Sequence, residues 1–471
     1  MSDPMSRRGF LHGVAGVGTA AAAGPLLLTS CAGGEQQEVT EKSLQAYQQA
    51  DIDWKQASGV KLKVAIIAAN PFANLSDLLP QFKKLTGIDV TFEEIPPPQI
   101  RHKVILDFSS DGKQYHTSAT DPMYYPLYAK NKWIVPLTEF LDDPELTDKA
   151  WLDVDDILPG WRQSVSLDGT WYGMPYDGEV TVQIYRTDLY DEANLKPAQT
   201  LAQYAANAKK LNKPGDRVWG AVLRGTPGAG QNMYIWPSIF REFGGEWFDK
   251  DMRPTVNSDA GVKALEWYID IVKNYAPKSA TNWNWTDIAD AFASGTVASY
   301  LDASMTHTVL QDETKSTVAE KLGFARWPAG PDGTRVSSIW NWSFPINADF
   351  SRKEQIATWL FIQWATCKET QTRTSLDWSG ARARSGVNRT SITKTSAYKK
   401  KFENVGRGFL DTLTTAFAED QDPDWRPRVP EWPKIGDRMA TAVQSALTGQ
   451  EKPKEALDNV NKGLAKLVKE S

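Results

Sequence analysis

Cysteine and histidine are scarce in this sequence of 471 residues. It contains two cysteines, Cys31 and Cys367, and four scattered histidines. No CxxC motif and no Cys/His cluster occurs, so we predict neither a zinc site nor any other metal or cofactor. Cys31 lies close to an N-terminal leader, and we therefore do not expect a disulfide with Cys367.

An excess of basic residues is also missing. The formal net charge is -5, and a mildly acidic chain argues against nucleic acid as a partner because phosphate binding needs a basic face. The length suits two domains. Tryptophan, in contrast, is abundant at 19 residues, and some of these rings are expected to do more than fill a core.

The N-terminus predicts an export signal. Arg7 and Arg8 form a pair ahead of the apolar, small-residue-rich stretch 14–28, which is the order of a twin-arginine leader. The tetrad that ends at Cys31 resembles a bacterial lipobox, which implies cleavage before Cys31 and lipid on its sulfur. The alternative is a plain hydrophobic leader with a chance cysteine.

From this pattern we expect a twin-arginine lipoprotein signal over 1–30 and a tether with a leading helix over 31–59. The protein would then be anchored to the outer face of the cell membrane by lipid on Cys31. No other segment is apolar enough to span a membrane.

The mature chain begins with an α/β pattern. Residues 62–69 form an apolar strand pattern, a helical pattern ends at Gly87, and a second strand pattern covers 88–95. This order predicts a βαβ unit. Further helices are predicted over 260–275, 353–366 and 453–469.

Two glycine- and proline-rich stretches interrupt the regular patterns. Residues 172–178 lie ahead of a strand, and residues 224–232 precede a helix. The second stretch lacks the Lys-Ser/Thr of a P-loop, so a nucleotide site is not predicted. A polar, glycine-rich helix start would suit hydrogen bonds to hydroxyl groups.

Several segments, taken in order, resemble one family, the extracellular solute-binding proteins of ABC sugar importers, relatives of maltose-binding protein. The resemblance extends over nearly all of 60–471. The segments that carry it are 115–137, 172–195, 243–248, 290–303, 338–348 and 449–464.

The resemblance implies an α/β fold of the periplasmic-binding-protein type, with two lobes, crossing hinge strands and a ligand cleft between the lobes. Matching segments place lobe one at 60–178 plus 340–385 and lobe two at 179–339 plus 386–471. Hinge closure over the ligand is the usual mode of such proteins.

A sugar or polyol needs aromatic rings for its C–H faces and carboxylates, amides or arginines for its hydroxyl groups. Residues 282–285 (Asn-Trp-Asn-Trp) and 340–342 (Trp-Asn-Trp) combine both types. The alternative is core tryptophan with turn-forming asparagine. For the two clusters together, we expect at least one ligand contact.

Candidate ligand-binding residues follow from these clusters and from the family resemblance. Asp177 and Glu179 flank the first predicted crossing, where the alternative is a hinge turn with solvated acids. Asn232 could instead cap a helix. Arg382 and Arg384 compete for one family position, with a surface ion pair as the alternative. The full set is Asp121, Tyr124, Tyr125, Asp177, Glu179, Gln231, Asn232, Trp236, Trp283, Asn284, Trp285, Asp302, Trp340, Asn341, Trp342, Arg382 and Arg384.

The predicted function is therefore capture of a neutral sugar or polyol for an ABC importer, without catalysis. The partners would be that ligand, the importer's permease subunits and, through the lipid anchor alone, the membrane; we expect a monomer. A secreted glycoside hydrolase is the alternative, since carboxylates are abundant, although no eightfold βα pattern is visible. A structural or adhesion lipoprotein would explain the anchor but not the tryptophan–asparagine clusters.

Overall fold

The computed structural model describes residues 39–68, 70–96, 99–110 and 112–469. The predicted export signal and Cys31 lie outside these residues. Among the described residues, no helix is both long and apolar enough to cross a bilayer. In the same part of the chain, no group of His, Cys, Asp and Glu side chains is arranged to hold a metal ion.

Five strands of the described chain have five to eight residues, and the other six have two. They are β1 Lys61–Ile67, β2 Asp89–Ile95, β3 Thr117–Ser118, β4 Ser166–Leu167, β5 Thr170–Trp171, β6 Met174–Pro175, β7 Glu179–Arg186, β8 Ser299–Ala303, β9 Leu322–Arg326, β10 Ile339–Trp340 and β11 Ser343–Phe344.

The α-helices dominate the described chain. They are α1 Glu41–Leu44, α2 Asn70–Thr86, α3 Ile100–Phe108, α4 Tyr125–Lys130, α5 Thr138–Asp142, α6 Lys149–Leu152, α7 Pro159–Ser164, α8 Thr187–Glu192, α9 Leu201–Leu211, α10 Asn232–Glu242, α11 Asp259–Tyr275, α12 Trp285–Ala293, α13 His307–Leu310, α14 Arg352–Thr366, α15 Lys368–Leu376, α16 Thr390–Thr393, α17 Ser396–Phe402, α18 Phe409–Glu419, α19 Trp432–Thr448 and α20 Pro453–Lys469.

The first sheet has the strand order β2-β1-β3 and is parallel. Its central strand carries a continuous run of buried residues from Val64 to Ile67, as a parallel strand covered on both faces requires. Helix α2 connects β1 to β2, so the predicted βαβ unit is confirmed. Helix α14 packs against β1 and α2 and returns the chain to this sheet.

The second sheet is built around β7, which pairs antiparallel with β8, β9 and β10. Every residue of β7 after Glu179 is buried. The pairing places Asp302 opposite Val182 and Trp340 opposite Glu179. The N-terminal end of β7 therefore brings together side chains that are more than a hundred residues apart in the sequence.

Two chain segments, 174–180 and 339–344, cross between the two sheets, and the segment at Gly386 touches the first of them. Strand β6 pairs with β11, and the Gly178 N–H donates to the Gly386 carbonyl at 3.1 Å. A Cβ atom on Gly386 would lie 2.4 Å from the Gly178 oxygen. Glycine is therefore required at 386 because two backbones approach too closely for any side chain.

The segment before β1 is packed rather than loose. Tyr47 is fully buried, and its hydroxyl lies 3.0 Å from Thr370 Oγ1. Trp151 donates its indole N–H to the Ala46 carbonyl at 3.0 Å. The expected leading helix is present as the single turn of α1. The tether predicted over 31–59 is not found from Leu44 onward, because residues 44–59 pack against the folded body.

The third crossing lies further along the chain than the sequence suggested. The buried Arg389 donates to the carbonyls of Leu152, Asp153 and Thr366, all on the side of the first sheet. A backbone bond from Arg407 N–H to Leu322 O joins the chain to the second sheet. Residues just after 386 therefore still pack on the first lobe, because the Arg389 guanidinium holds them there.

Candidate ligand-binding site at the chain crossings

Two tryptophans stand at the centre of the crossing region. Trp340 ends β10 and Trp342 precedes β11, and their ring centroids are 5.6 Å apart in an edge-on arrangement. Both rings keep a small exposed fraction, 7% and 8%. Trp342 N–H donates to the Asp177 carboxylate, so the two strands of the crossing are fixed to each other at this point.

A guanidinium from the first lobe covers both rings. The ζ-carbon of Arg101, on α3, lies 5.0 Å from the Trp340 ring and 5.4 Å from the Trp342 ring. Its Nε–H donates to Asp121 Oδ2 at 3.1 Å, while Asp121 Oδ1 accepts from Met123 N–H. Stacking and ion pairing together hold this cation against the aromatic pair.

Arg426 lies against the same aromatic group. Its ζ-carbon is 5.0 Å from the Trp340 ring and 3.8 Å from the Trp425 ring. The side chain is fully buried, and this burial lowers its pKa to about 9. The guanidinium therefore remains charged at neutral pH, with Asp121 as the nearest anion that favours its charge.

The second lobe contributes a buried ion pair. Arg224 binds Asp302 through two parallel N–H bonds, with Nε 2.9 Å from Oδ2. The same guanidinium lies 4.7 Å from the Tyr234 ring and donates to the Gly230 carbonyl at 2.6 Å. Tyr234 in turn packs edge-on against Trp340, which connects this pair to the aromatic group.

Two further carboxyl groups lie on the first crossing. Burial raises the pKa of Asp177 to about 7. Burial also raises the pKa of Glu179 to about 8, and the neighbouring charges of Asp177 and Asp302 add to the shift. Near neutral pH, these groups are poised between donating and accepting hydrogen bonds, which suits hydroxyl groups.

The structure thus brings together part of the predicted set. Tyr124 is buried beside Arg101 and Asp121, and burial raises its pKa to about 12. Asn341 lies between the two tryptophans in sequence and lines the same recess as Trp340. The predicted residues that converge here are Asp121, Tyr124, Asp177, Glu179, Asp302, Trp340, Asn341 and Trp342.

Other predicted residues serve packing or capping. Tyr125 hydrogen-bonds Ser343 Oγ at 2.7 Å behind the crossing. Trp236 is fully buried and stacks on Phe240. Asn284 caps α12 through a complete capping box, so its side chain is occupied by the helix start.

Two more of the predicted residues, Asn232 and Arg384, make structural hydrogen bonds. Asn232, the first residue of α10, donates to the Ala440 carbonyl of α19 and accepts from Gly228 N–H. Arg384 is buried against Tyr176 and bonds Gln371 and Thr374. These two side chains hold loops and crossings in place.

The last four predicted residues lie outside the aromatic group. Arg382 pairs with Asp77 and Asn74 on the first lobe. Trp283 and Trp285 are partly buried at the start of α12, and Gln231 stands just before α10 with a buried, unpartnered Oε1. The Trp–Asn cluster at 282–285 therefore lies at the start of α12, whereas the cluster at 340–342 lies on the crossing between β10 and β11.

Four residues of the cluster were not singled out from the sequence: Arg101, Arg224, Tyr234 and Arg426. Each stands alone in its own segment, and buried arginines are rare enough that sequence reasoning does not expect them. Arg224 opens the glycine-rich stretch 224–232, which is the one sequence signal that pointed towards it.

Comparison with known proteins defines the class. The family model of the bacterial extracellular solute-binding proteins matches residues 41–372, which is well over half of the chain. The chain therefore belongs to this family. The predicted fold, two α/β lobes with a cleft and crossing strands, is confirmed by the same comparisons.

Three of the proteins that the chain resembles are named for a polyol or were solved with one. A mannitol-binding protein of Pseudomonas aeruginosa is 28% identical over 382 residues, covering 79% of this chain and 84% of the relative. An erythritol/L-threitol-binding protein of Mycolicibacterium smegmatis is 24% identical over 88% of each chain. An ABC transporter solute-binding protein from Agrobacterium radiobacter, solved with ribitol, is 29% identical with a TM-score of 0.78, over 87% of this chain and 99% of that chain.

Proposed function

We propose that this chain is the substrate-binding component of an ABC importer for a neutral polyol or a related neutral sugar. The observation that carries the proposal is the pair of indole rings, Trp340 and Trp342, surrounded by carboxylates and guanidinium groups from both lobes. Indole faces suit the C–H surface of the ligand, and the charged groups suit its hydroxyls.

The balance of charges favours a neutral ligand. Three arginines, Arg101, Arg224 and Arg426, face the two carboxylates Asp121 and Asp302 and the partly protonated pair on the first crossing. The site as a whole is therefore close to neutral at pH 7. The relatives named for mannitol and for erythritol or L-threitol support an acyclic polyol within this class.

We further propose that the lobes close on the ligand by a hinge. The first two crossings are joined through β6 and β11, and the segment that leads to the third touches the first at Gly178 and Gly386. The binding groups come from both lobes. A ligand that bridges Asp121 on one lobe and Asp302 on the other binds the closed form better and shifts the population towards it.

The location of the protein follows from the N-terminal signals. The Arg7–Arg8 pair and the tetrad ending at Cys31 support export and lipid anchoring to the outer face of the membrane. In that position a monomer would deliver its ligand to the permease subunits of the importer.

Thermal-shift and calorimetric titration with D-mannitol, ribitol, erythritol and maltose test the proposal. At least one polyol should bind one-to-one, and a concentration of about 100 Kd should add about 2.7 kcal/mol to the free energy of unfolding. Chromatography of a polyol glycoside such as maltitol after incubation should return it unchanged. Absence of binding by all four compounds, or accumulation of hydrolysed product, contradicts the proposed function.

A further inference from the structure

A small recess beside Trp340 contains buried polar atoms that have no hydrogen-bond partner among the residues that the structure describes. It is lined by side chains that include Asp121, Ser164, Trp340, Asn341 and Arg426. Within the described part of the chain, Arg426 Nε and Nη2 have no hydrogen-bond acceptor, and Asn341 Oδ1 has no donor. Burying such groups without partners is costly, so both sides of the recess are suited to a ligand that supplies an acceptor and a donor.

The orientation of Asn341 is fixed by its neighbours. Ser164 Oγ lies 2.8 Å from the Trp161 carbonyl and must donate its hydrogen there. Ser164 can then only accept from Asn341, whose Nδ2 lies 2.9 Å away. The amide nitrogen therefore faces Ser164, and the Oδ1 atom is the free acceptor.

The free nitrogens of Arg426 form a side-on fork. Arg224 uses the same two atoms, Nε and Nη2, to bind both oxygens of Asp302, and Arg326 uses them on Asp420. Arg426 Nη1 has only a long contact of 3.4 Å with the Ala229 carbonyl. Stacking on Trp425 holds the plane of the fork in place, so it is prearranged for two adjacent oxygen atoms.

We infer that this recess binds the terminal vicinal diol of an acyclic polyol. The two diol oxygens accept from Arg426 Nε and Nη2, and the terminal hydroxyl donates to Asn341 Oδ1. A carboxylate would fill the fork but has no hydrogen for Asn341, and it would face the Asp121 carboxylate in the same recess. The inference rests on the proposed function and assigns one end of the ligand.

The unmodified protein provides the first test. D-mannitol is compared by calorimetry with 1,6-dideoxy-D-mannitol, because the two ends of mannitol are equivalent and both terminal hydroxyls must be removed. The dideoxy compound should bind at least about tenfold more weakly, as expected for the loss of a hydrogen bond to a charged group. Equal affinities for the two compounds overturn the inference.

Variants then test whether Arg426 and Asn341 cause the preference for D-mannitol over its dideoxy analogue. Arg426→Met should bring the affinity ratio of mannitol to its dideoxy analogue to within about threefold, because the charged donor is gone. Asn341→Ala should lower the ratio by a smaller factor, and both variants should still bind both compounds. Arg389→Lys is the matched control: this arginine is equally buried but donates to backbone carbonyls away from the recess. It should lower the unfolding midpoint and leave the ratio unchanged. A variant ratio equal to that of the unmodified protein contradicts the assignment.

Binding of D-mannonate tests whether the recess takes a carboxylate instead of a diol. If it binds the unmodified protein more tightly than D-mannitol and loses this advantage in Arg426→Met, the recess takes an acid and the diol assignment is wrong. If no polyol binds the unmodified protein, the inference fails, and the proposed function fails with it unless maltose binds. If polyols bind but the discrimination tests fail, the proposed function stands and the diol assignment alone falls.

Discussion

Arg224 and Asp302 form a two-point ion pair that is buried on both sides. The side chains are 6% and 0% exposed, and Asp302 also accepts from the Ala303 N–H at 2.6 Å. Since Asp302 lies in β8, directly beside the central strand β7, this pair connects the second sheet to the glycine-rich stretch that begins at Arg224. The contact therefore stabilises the lobe and shapes the candidate site at the same time.

Asp302→Ala should destabilise the protein strongly. It leaves the Arg224 guanidinium buried without its anion, and breaking a buried pair in this way costs about 3–5 kcal/mol. Chemical denaturation without ligand measures the effect. Asp191→Ala is the control, since Asp191 makes an equally bidentate but exposed pair with Arg407 and should change the midpoint little. Similar midpoints for the two variants would show that burial does not strengthen the Arg224 pair.

Trp340→Ala and Trp236→Ala should separate binding from packing. Trp340 lies between two guanidinium groups at the crossing, so its truncation should weaken polyol binding by about tenfold or more. Trp236 is fully buried beside Phe240, and its truncation should cost about 3–5 kcal/mol of stability while folded protein keeps its affinity. Calorimetry and unfolding midpoints, measured together, distinguish the two outcomes. Unchanged affinity in Trp340→Ala would remove this ring from the site.

The carboxyl groups of the first crossing should make stability depend on pH. Burial raises the pKa of Glu179 to about 8, so the folded protein keeps a proton that the unfolded chain releases above pH ~4.3. The stabilisation is therefore complete below that pH and is lost as pH rises through 8. Without ligand, the unfolding midpoint should fall between pH 5 and 8.5, and Glu179→Gln should flatten the decline. The exposed Glu403→Gln serves as control; equal slopes in both variants would contradict the assignment.

Cys31→Ala should release the exported protein from the membrane fraction. The residue stands at the end of the lipobox-like tetrad, and a lipid on its sulfur would be the sole attachment. Fractionation after a high-salt wash, with immunodetection, measures the distribution. Cys367→Ala is the matched control, because Cys367 is a buried free cysteine in the folded body and its variant should stay with the membrane. Membrane retention of Cys31→Ala would refute lipid anchoring.

Local patterns in the sequence were sufficient for the regular elements of the fold. The strand predicted over 62–69 is Lys61–Ile67, and the helix predicted over 453–469 is Pro453–Lys469. Both follow from apolar periodicity, which acts within a short stretch of chain. The packing of residues 44–59 on the first lobe was missed, because their polar composition concealed the buried rings of Tyr47 and Trp54.

The candidate site was harder to predict, because its chemistry is assembled across the crossings. Trp340 and Asn284 occur in similar Trp–Asn patterns, yet one lies at the aromatic group and the other caps a helix. Arg101 and Arg426 are more than three hundred residues apart and meet only through the fold. A single sequence contains no local signal for that encounter.

The interleaved crossings also constrain how the chain can be made. Strand β7 pairs with β10, about 160 residues later in the chain. The Trp247 indole N–H donates to the Trp425 carbonyl at 3.1 Å. Neither lobe can close its core until the last quarter of the chain has been synthesised, because each includes a segment from that part of the chain. Folding therefore depends on distant contacts and is slow to begin, and an interrupted chain would expose aromatic surface to aggregation.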